Sequence, residues 1–493
     1  MKLSEMKTSD MQTIEAALTK VEERQTKTGK SYCILTLKPE GEPAVEARLW
    51  DADRASVLAD TPEQTAVVIQ LRADEYQGQR NYVAMEMDPA SEPDDLTRFA
   101  DEGIDGMSRL DFLDQCVKKA VPDEAPEYRV YRALMDKYKE QWAVWPAAQS
   151  IHHAYPGGLA EHSVRVFFDM YRIIRFSQSL KKIMECPDSQ TAQILQGILS
   201  DLDQTRTCVK AAAVAVSEIP KVLSSPTKSA SLMRIRIQTE AVKELLHAYP
   251  YLDKDLLLSA SVLRGIGTVL VPGSDTGIGG AAADILLIRP YVEKEERESE
   301  DIRLLEHILL CREPAGTHVN NVQAAVPEAF LLESAVEMAD ILLNELNENP
   351  EKTLTLNIPA LLTGAALHDI GKLKEMQAVV CGPADYTIPG TLKGHILIGM
   401  EMVYDTAETL GIDPGDIRSL LSVIASHHGK LEWGALSEPD TPEAELLACA
   451  DLLDSRMDMH RREREQMDAG TTSVRLRPYL HAVLYKPEEK TEM

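Results

Sequence analysis

The sequence predicts a multidomain chain: a small N-terminal β-barrel, then a mainly α-helical domain interrupted by a second helical unit. Three observations carry this. Five short runs of alternating apolar residues occupy the first ninety positions, apolar residues take helical spacing from Ser108 onward, and part of the helical region repeats itself. At 493 residues the chain is too long for one compact core, and at about 100–200 residues each, three or so domains are expected.

The expected strands run through Ile14 to Val21, Tyr32 to Leu37, Val45 to Trp50, Ala66 to Leu71 and Tyr82 to Met85. Turn-forming stretches separate them at Lys27 to Lys30, Pro39 to Pro43 and Gln77 to Gln79. Five strands at this spacing suit a small closed sheet such as an OB-fold barrel over residues 1–90. On it Tyr32, Trp50, Tyr76 and Tyr82 either stack on bases, with Lys27, Lys30, Arg48 and Arg80 near phosphates, or fill the barrel core. Residues 91–150 follow as an acidic linker, opened by Ser91 to Asp95, and a helical brace from Ser108 to Trp142. Pro93 and Gly103 mark that boundary.

The helical remainder divides into residues 151–175 plus 356–465, an insertion over 176–355, and a tail over 466–493. The insertion resembles its host. Residues 301–336 align without a gap on 416–451 at an offset of 416 − 301 = 115, and LLSASVLRGIG from Leu257 aligns on LLTGAALHDIG from Leu361.

Seven of the twelve histidines fall in short clusters: His152 and His153 with His162, His368 beside Asp369, His395, and the pair His427 and His428. Asp451 follows them. A lone helical histidine is usually a surface or core residue, so the ordered series matters more than any member. Neutral imidazoles bind borderline divalent ions, and a carboxylate such as Asp369 can reach two ions at once. Two ions a few ångströms apart lower the pKa of water and clamp the attacking and leaving oxygens of a phosphoryl displacement.

The strings HHAYPGGLAEH from His152, LHDIGK from Leu367, Gly394-His395, SHHGKLEWG from Ser426 and ADLLD from Ala450 together resemble the HD-domain superfamily of metal-dependent phosphohydrolases. More narrowly they resemble the YhaM-type 3′-to-5′ exoribonucleases, which carry an OB-fold ahead of an HD domain. The resemblance implies that His162, His368, Asp369 and Asp451 hold a first metal, that Asp369 bridges, and that His395, His427 and His428 serve a second metal or the scissile phosphate. It implies Asp369 and Lys372 as catalytic, Lys372 by contacting phosphate, although an exposed lysine at a helix end is the plain alternative. His153, Lys430 and Trp433, with Trp50 and Tyr32 on the barrel, become candidates for substrate binding. Trp433 either stacks on a base or wedges between helices. Glu161 either orients His162 or is solvated. Manganese is the first choice of ion, one or two per site, with iron, nickel, zinc and magnesium left open.

The inserted copy would be metal-free. Arg264 and Gly265 align with His368 and Asp369, Arg312 and Glu313 with His427 and His428, and Val336 with Asp451. The intact copy in turn lacks an HHAYPGGLAEH string of its own. Either His162 belongs to the degenerate copy, leaving two half-built sites, or its helix packs on residues 356–460 and completes the intact one. The composite arrangement leaves no orphan cluster and is preferred.

A net charge of −27 weighs against a long nucleic-acid substrate, because phosphate-tracking surfaces are normally basic. The leading expectation is a 3′-to-5′ exonuclease on single-stranded RNA or DNA. The alternatives are a nucleotide or cyclic-dinucleotide phosphohydrolase and a non-catalytic assembly protein. Seven cysteines without a C-x-x-C pair, no signal-like start and no long apolar run lead to the expectation of free thiols, cytoplasm and no membrane. A homo-oligomer is left open.

Overall fold

Alternation folds the N-terminal residues into β1 (Met11–Gln25), β2 (Ser31–Pro39), β3 (Val45–Leu49), β4 (Thr65–Tyr76) and β5 (Gln79–Pro89). The computed structural model describes all residues except 1–2, 4–5, 27–28, 43, 51–60, 77–78, 100–102, 150, 224–225, 271–279, 312–323, 350–353, 378–383, 474–479, 481 and 489–493. Lys27, Gln77, Gly78, Arg312, Glu313, His318 and His481 lie outside the described residues, as do the side chains of Tyr76 and Arg80. Two units form, residues 1–107, 140–160 and 372–392 in one and residues 108–139, 161–371 and 393–493 in the other.

The five strands close into a barrel in the order β1-β2-β3-β5-β4, with β3 and β5 parallel and the other neighbours antiparallel. β1 pairs with both β4 and β2, and an irregularity between Leu18 and Lys20 bends it from one partner to the other. Leu18, Leu35, Leu37, Ile69 and Leu71 fill the interior, joined by Leu3 and Met6. Tyr82 belongs to that core, where its hydroxyl donates to the Leu3 carbonyl at 2.9 Å. Tyr32 and Trp50 do not: they are half-buried and stack on one another, ring centroids 4.7 Å apart at 24°.

Register fixes what surrounds that stack. Tyr32, Ile34 and Thr36 lie opposite Arg24, Glu22 and Lys20 of β1, and Ile34 and Thr36 lie opposite Arg48 and Glu46 of β3. Directly opposed residues share a face of the sheet. Glu22 pairs with both Lys20 and Arg24 at 2.7 Å, so the face is mixed in sign rather than basic.

The helical elements are α1 (Gly106–Ala120), α2 (Pro126–Trp142), α3 (Gly158–Met184), α4 (Asp188–Ser200), α5 (Thr207–Val222), α6 (Pro226–Leu245), α7 (Lys254–Leu263), α8 (Ile266–Leu270), α9 (Gly280–Ile288), α10 (Glu300–Leu310), α11 (Pro327–Glu348), α12 (Ile358–Leu367), α13 (Lys372–Glu375), α14 (Ile388–Thr409), α15 (Arg418–Ser426) and α16 (Pro442–Glu465). Two-stranded pairs β6–β7 (Met376–Gln377 with Asp385–Tyr386) and β8–β9 (Thr471–Thr472 with Tyr485–Lys486) complete the described structure. Among the described residues, no helix is long and apolar enough to cross a membrane.

The repeat persists in three dimensions. The starts of α7 and α12 differ by 358 − 254 = 104 and those of α11 and α16 by 442 − 327 = 115, matching the two sequence offsets. α7, α10 and α11 pack on one another as α12, α15 and α16 do. Asp253 caps α7 by accepting from the Leu256 amide, and Asn357 caps α12 by accepting from that of Ala360. Each cap residue's own amide donates to a glutamate at the start of the long helix, Asp253 to Glu328 at 3.3 Å and Asn357 to Glu443 at 2.5 Å. What differs is chemistry. Arg264 pairs with Glu333, and the amides of Gly265 and Gly267 each donate to the buried Asp284 carboxylate at 2.8 Å.

α16 also buries His460, edge-on to Phe330 with ring centroids 4.9 Å apart, and neither ring nitrogen has a hydrogen-bond partner among the described residues. Burial, with Arg464 and Arg456 nearby, pushes its pKa down to about 3. The unfolded chain therefore takes up this proton below about pH 6.5 while the folded chain resists it, so stability falls as pH drops through that window. The cost reaches about 2 kcal/mol by pH 5. His460→Leu should flatten the fall in urea midpoint between pH 7 and 5; an unchanged slope would contradict the assignment.

Candidate metal centre

The centre forms where helices end. His368 and His427 follow the last residues of α12 and α15, where carbonyls have no helical amide to accept from. Nδ1 of His368 donates to the Ala365 carbonyl at 3.0 Å and Nδ1 of His427 to that of Ile424 at 2.7 Å. Nδ1 of His428 donates to the Trp433 carbonyl at 2.9 Å, and Nδ1 of His162, on α3, to Asp454 Oδ2 at 2.7 Å. Carbonyls and carboxylates only accept, so all four protons sit on Nδ1 and each neutral Nε2 offers a lone pair.

Those lone pairs converge with two carboxylates. His162 Nε2 lies 3.0 Å from His368 Nε2, 3.4 Å from Asp369 Oδ2 and 3.1 Å from Asp451 Oδ1, while His368 Nε2 lies 3.5 and 3.7 Å from the same two oxygens. Bonds of about 2.1 Å to one cation set neighbouring ligand atoms about 3.0–3.4 Å apart, so this spacing is that of a shared ion. The other oxygen of Asp369 turns elsewhere. Oδ1 lies 3.4 Å from His395 Nε2 and 3.6 Å from His427 Nε2, and ligand atoms of His395, His427 and His428 all fall within 4.8 Å of one another. The cluster is consistent with divalent metal binding.

Electrostatics agree with the geometry. Burial pulls the His162 pKa down, but hydrogen bonds to Asp369, Asp451 and Asp454 outweigh it and hold it well above the ordinary value. The field that favours a proton on Nε2 favours a cation in the same place. Burial would raise the Asp451 carboxyl, yet His162, His368 and His427 hold it well below the usual carboxylate range. Burial pushes His427 down and, with His427 beside it, His428 down to about 3, which keeps both imidazoles neutral.

Two supporting residues stand in the quoted motifs, but the sequence assigns them no role. Asp454 was visible in ADLLD, but its contact with His162 spans 292 residues. Behind it lies Arg165, 3.9 Å from Asp454 Oδ1 and 2.7 Å from Glu161, which also pairs with Arg109. Glu161 is therefore buried and paired, not a solvated helix residue. Gly371 is the second residue. A Cβ there would collide with the His395 carbonyl, so only glycine lets the HDIG turn press against the backbone that carries His395.

The remaining candidates separate. Trp433 is 40 % exposed with the Lys430 ammonium over its ring at 4.6 Å, which excludes an ordinary core role. His153 is buried and hydrogen-bonded to the Tyr155 hydroxyl at 2.9 Å, in a turn where Gly157 takes φ +83°. Lys372 is buried rather than exposed, and its carbonyl accepts from Trp145 Nε1 at 2.9 Å. On α16, Arg461 pairs with Asp458 at 2.6 Å and Glu465 at 2.9 Å.

Residues 333–456 match the HD domain family. The 3′-5′ exoribonuclease YhaM of Bacillus pumilus is 39 % identical over 133 residues, 27 % of this chain and 42 % of that protein. YhaM of Bacillus subtilis is 38 % identical over 133 residues, with the same coverage of each chain, and that of Geobacillus sp. is 36 % identical over 159 residues, 32 % of this chain and 46 % of the relative. The chain thus spans under half the length of these curated relatives. No solved structure matches it.

Asp454→Asn removes the charge that fixes the His162 proton on Nδ1. It should weaken metal retention about 10–100-fold, the usual effect of losing such a partner, read as metal content after dialysis against a metal buffer. Retention equal to wild type would show that Asp454 does not orient the ligand.

Proposed function

For a chain that carries an HD domain, we propose a metal-dependent phosphodiesterase that removes nucleotides from the 3′ end of single-stranded RNA. One observation carries the reading: the two oxygens of Asp369 each face their own set of imidazole nitrogens, as a carboxylate bridging two ions would. His162, His368 and Asp451 would hold one ion with Asp369, and His395, His427 and His428 the other. Residues 151–175 and 356–465 would then form one catalytic domain around the degenerate insertion 176–355. Manganese suits this mixture of imidazole and carboxylate. When bound, the ions would acidify a water and clamp the oxygens of the scissile phosphate.

The protein's own part is placement. Asp454 holds the ring of His162, and Gly371 seats His395 against the HDIG turn. Lys372 would offset charge on the phosphate. Lys430 and Trp433, near His428, would hold the nucleotide, and the Tyr32–Trp50 stack on the barrel would offer a base-stacking surface of its own. The exoribonuclease name of the matching relatives supports RNA over DNA.

A second reading, hydrolysis of single nucleotides or cyclic dinucleotides, draws on the net charge of −27 and the mixed-sign barrel face. An assembly role with a vestigial site is the weaker reading, because drift seldom spares a whole ligand set.

The test is a time course with 5′-labelled single-stranded RNA and Mn²⁺, resolved at single nucleotides. A ladder shortening from the 3′ end, absent in Asp369→Asn, is expected; no cleavage by metal-loaded protein would favour the small-substrate reading. Arg264→Ala, in the degenerate copy, should leave the rate per folded molecule within about twofold, since Arg264 pairs with Glu333 and not with any residue of the imidazole cluster. A loss as large as that of Asp369→Asn would end the division into live and dead copies.

A further inference from the structure

His428 has two neighbourhoods. One is the imidazole cluster; the other is a cavity of about 410 Å³ whose wall it shares with Trp433 and Lys430. That volume lies within the range of about 300–1,000 Å³ typical of small-ligand sites. Ile341 and Leu452 give the cavity apolar sides, and Glu337 and Glu445 line it. Cys449 lines the same cavity as Glu337, and burial, together with that carboxylate, holds its thiol well above the ordinary value.

The sign of the lining selects the ligand. Glu337, Glu438 and Glu445 outnumber the single cation Lys430, so a run of phosphates is repelled and a neutral group rich in N–H donors is attracted. Trp433 offers a partly exposed ring, and planar groups stack on such rings whatever their sequence identity. A carboxylate accepts on both oxygens, which asks for two adjacent N–H donors. Among the four RNA bases only guanine presents them on its pairing edge, at N1 and the N2 amine. Adenine, cytosine and uracil each place an acceptor next to their donor.

We propose that this cavity is a guanosine-preferring nucleoside subsite, in which Trp433 stacks the base and Glu337 accepts from its two adjacent N–H groups. Sharing His428 with the imidazole cluster sets the nucleoside one residue from the centre, with Lys430 beside its phosphate. The proposal rests on the reading that the cluster cleaves nucleotides, but its test does not use cleavage.

Binding of 5′-GMP, AMP, CMP and UMP to the Mn²⁺-loaded protein is measured by calorimetry. GMP should bind about tenfold more tightly than the other three, as one well-formed bidentate pair discriminates. Glu337→Gln should erase that preference while leaving the other three unchanged, and Trp433→Ala should weaken all four. Both side chains are exposed, and circular dichroism checks that each variant folds. Equal affinities, no binding, or a preference that survives Glu337→Gln would overturn the subsite. The labelled-RNA ladder judges cleavage separately: a ladder without GMP preference sinks the subsite alone, and GMP preference without a ladder sinks the exonuclease alone.

Discussion

Asp369 sits where two sets of imidazole nitrogens face each other, and the surrounding helices are arranged to make that crowding tolerable. Lone pairs at 3.0 Å repel, as His162 Nε2 and His368 Nε2 would, and carboxylates at the same point do not relieve it unless a positive charge lies between them. The raised pKa of His162 and the depressed carboxyl of Asp451 are two signs of one field. A divalent cation satisfies it better than a proton does, because several lone pairs can share it.

Ligand aim is paid for in backbone. Two of the imidazoles use carbonyls that helix ends leave over, which ties ring orientation to the points where α12 and α15 stop. His162 has no such carbonyl and relies on Asp454, beside which lies Arg165, itself paired with Glu161. His395 depends on Gly371 allowing its carbonyl to approach. The unit of α7, α10 and α11 packs as α12, α15 and α16 do but carries other polar residues at the corresponding turn. There Arg264 meets Glu333, and Asp284 takes the amides of the turn, so the polar groups are satisfied within the protein.

Much of this was legible in the sequence, for reasons that differ by element. The strands announced themselves by period-two alternation, yet β1 runs on to Gln25 through Glu22, Glu23 and Arg24, an end with no apolar pattern to read. The repeat was legible because Asp-Ile-Arg and Pro-Glu-Ala recur at one fixed offset and LLSASVLRGIG matches LLTGAALHDIG at another. The clustered histidines and Asp451 were legible as a set. The placement of His162 with residues 356–460 was preferred because it leaves no orphan cluster, but across 206 residues (368 − 162) only packing sets the distances. Asp454 and Glu337 looked like ordinary helix carboxylates, because what distinguishes them is the neighbour and not the residue. Tyr82 and Tyr32 were indistinguishable by pattern, and the structure puts one in the core and the other on the surface stack.

We propose that His162, on a helix far upstream, completes the site built by residues 368–451. Metal content per chain, measured by elemental analysis on wild type and His162→Ala after equilibration with limiting Mn²⁺, tests it directly. The account predicts that the variant loses metal while its circular dichroism stays that of the folded protein. Metal content equal to wild type would place His162 outside the centre and return the intact copy to an incomplete site.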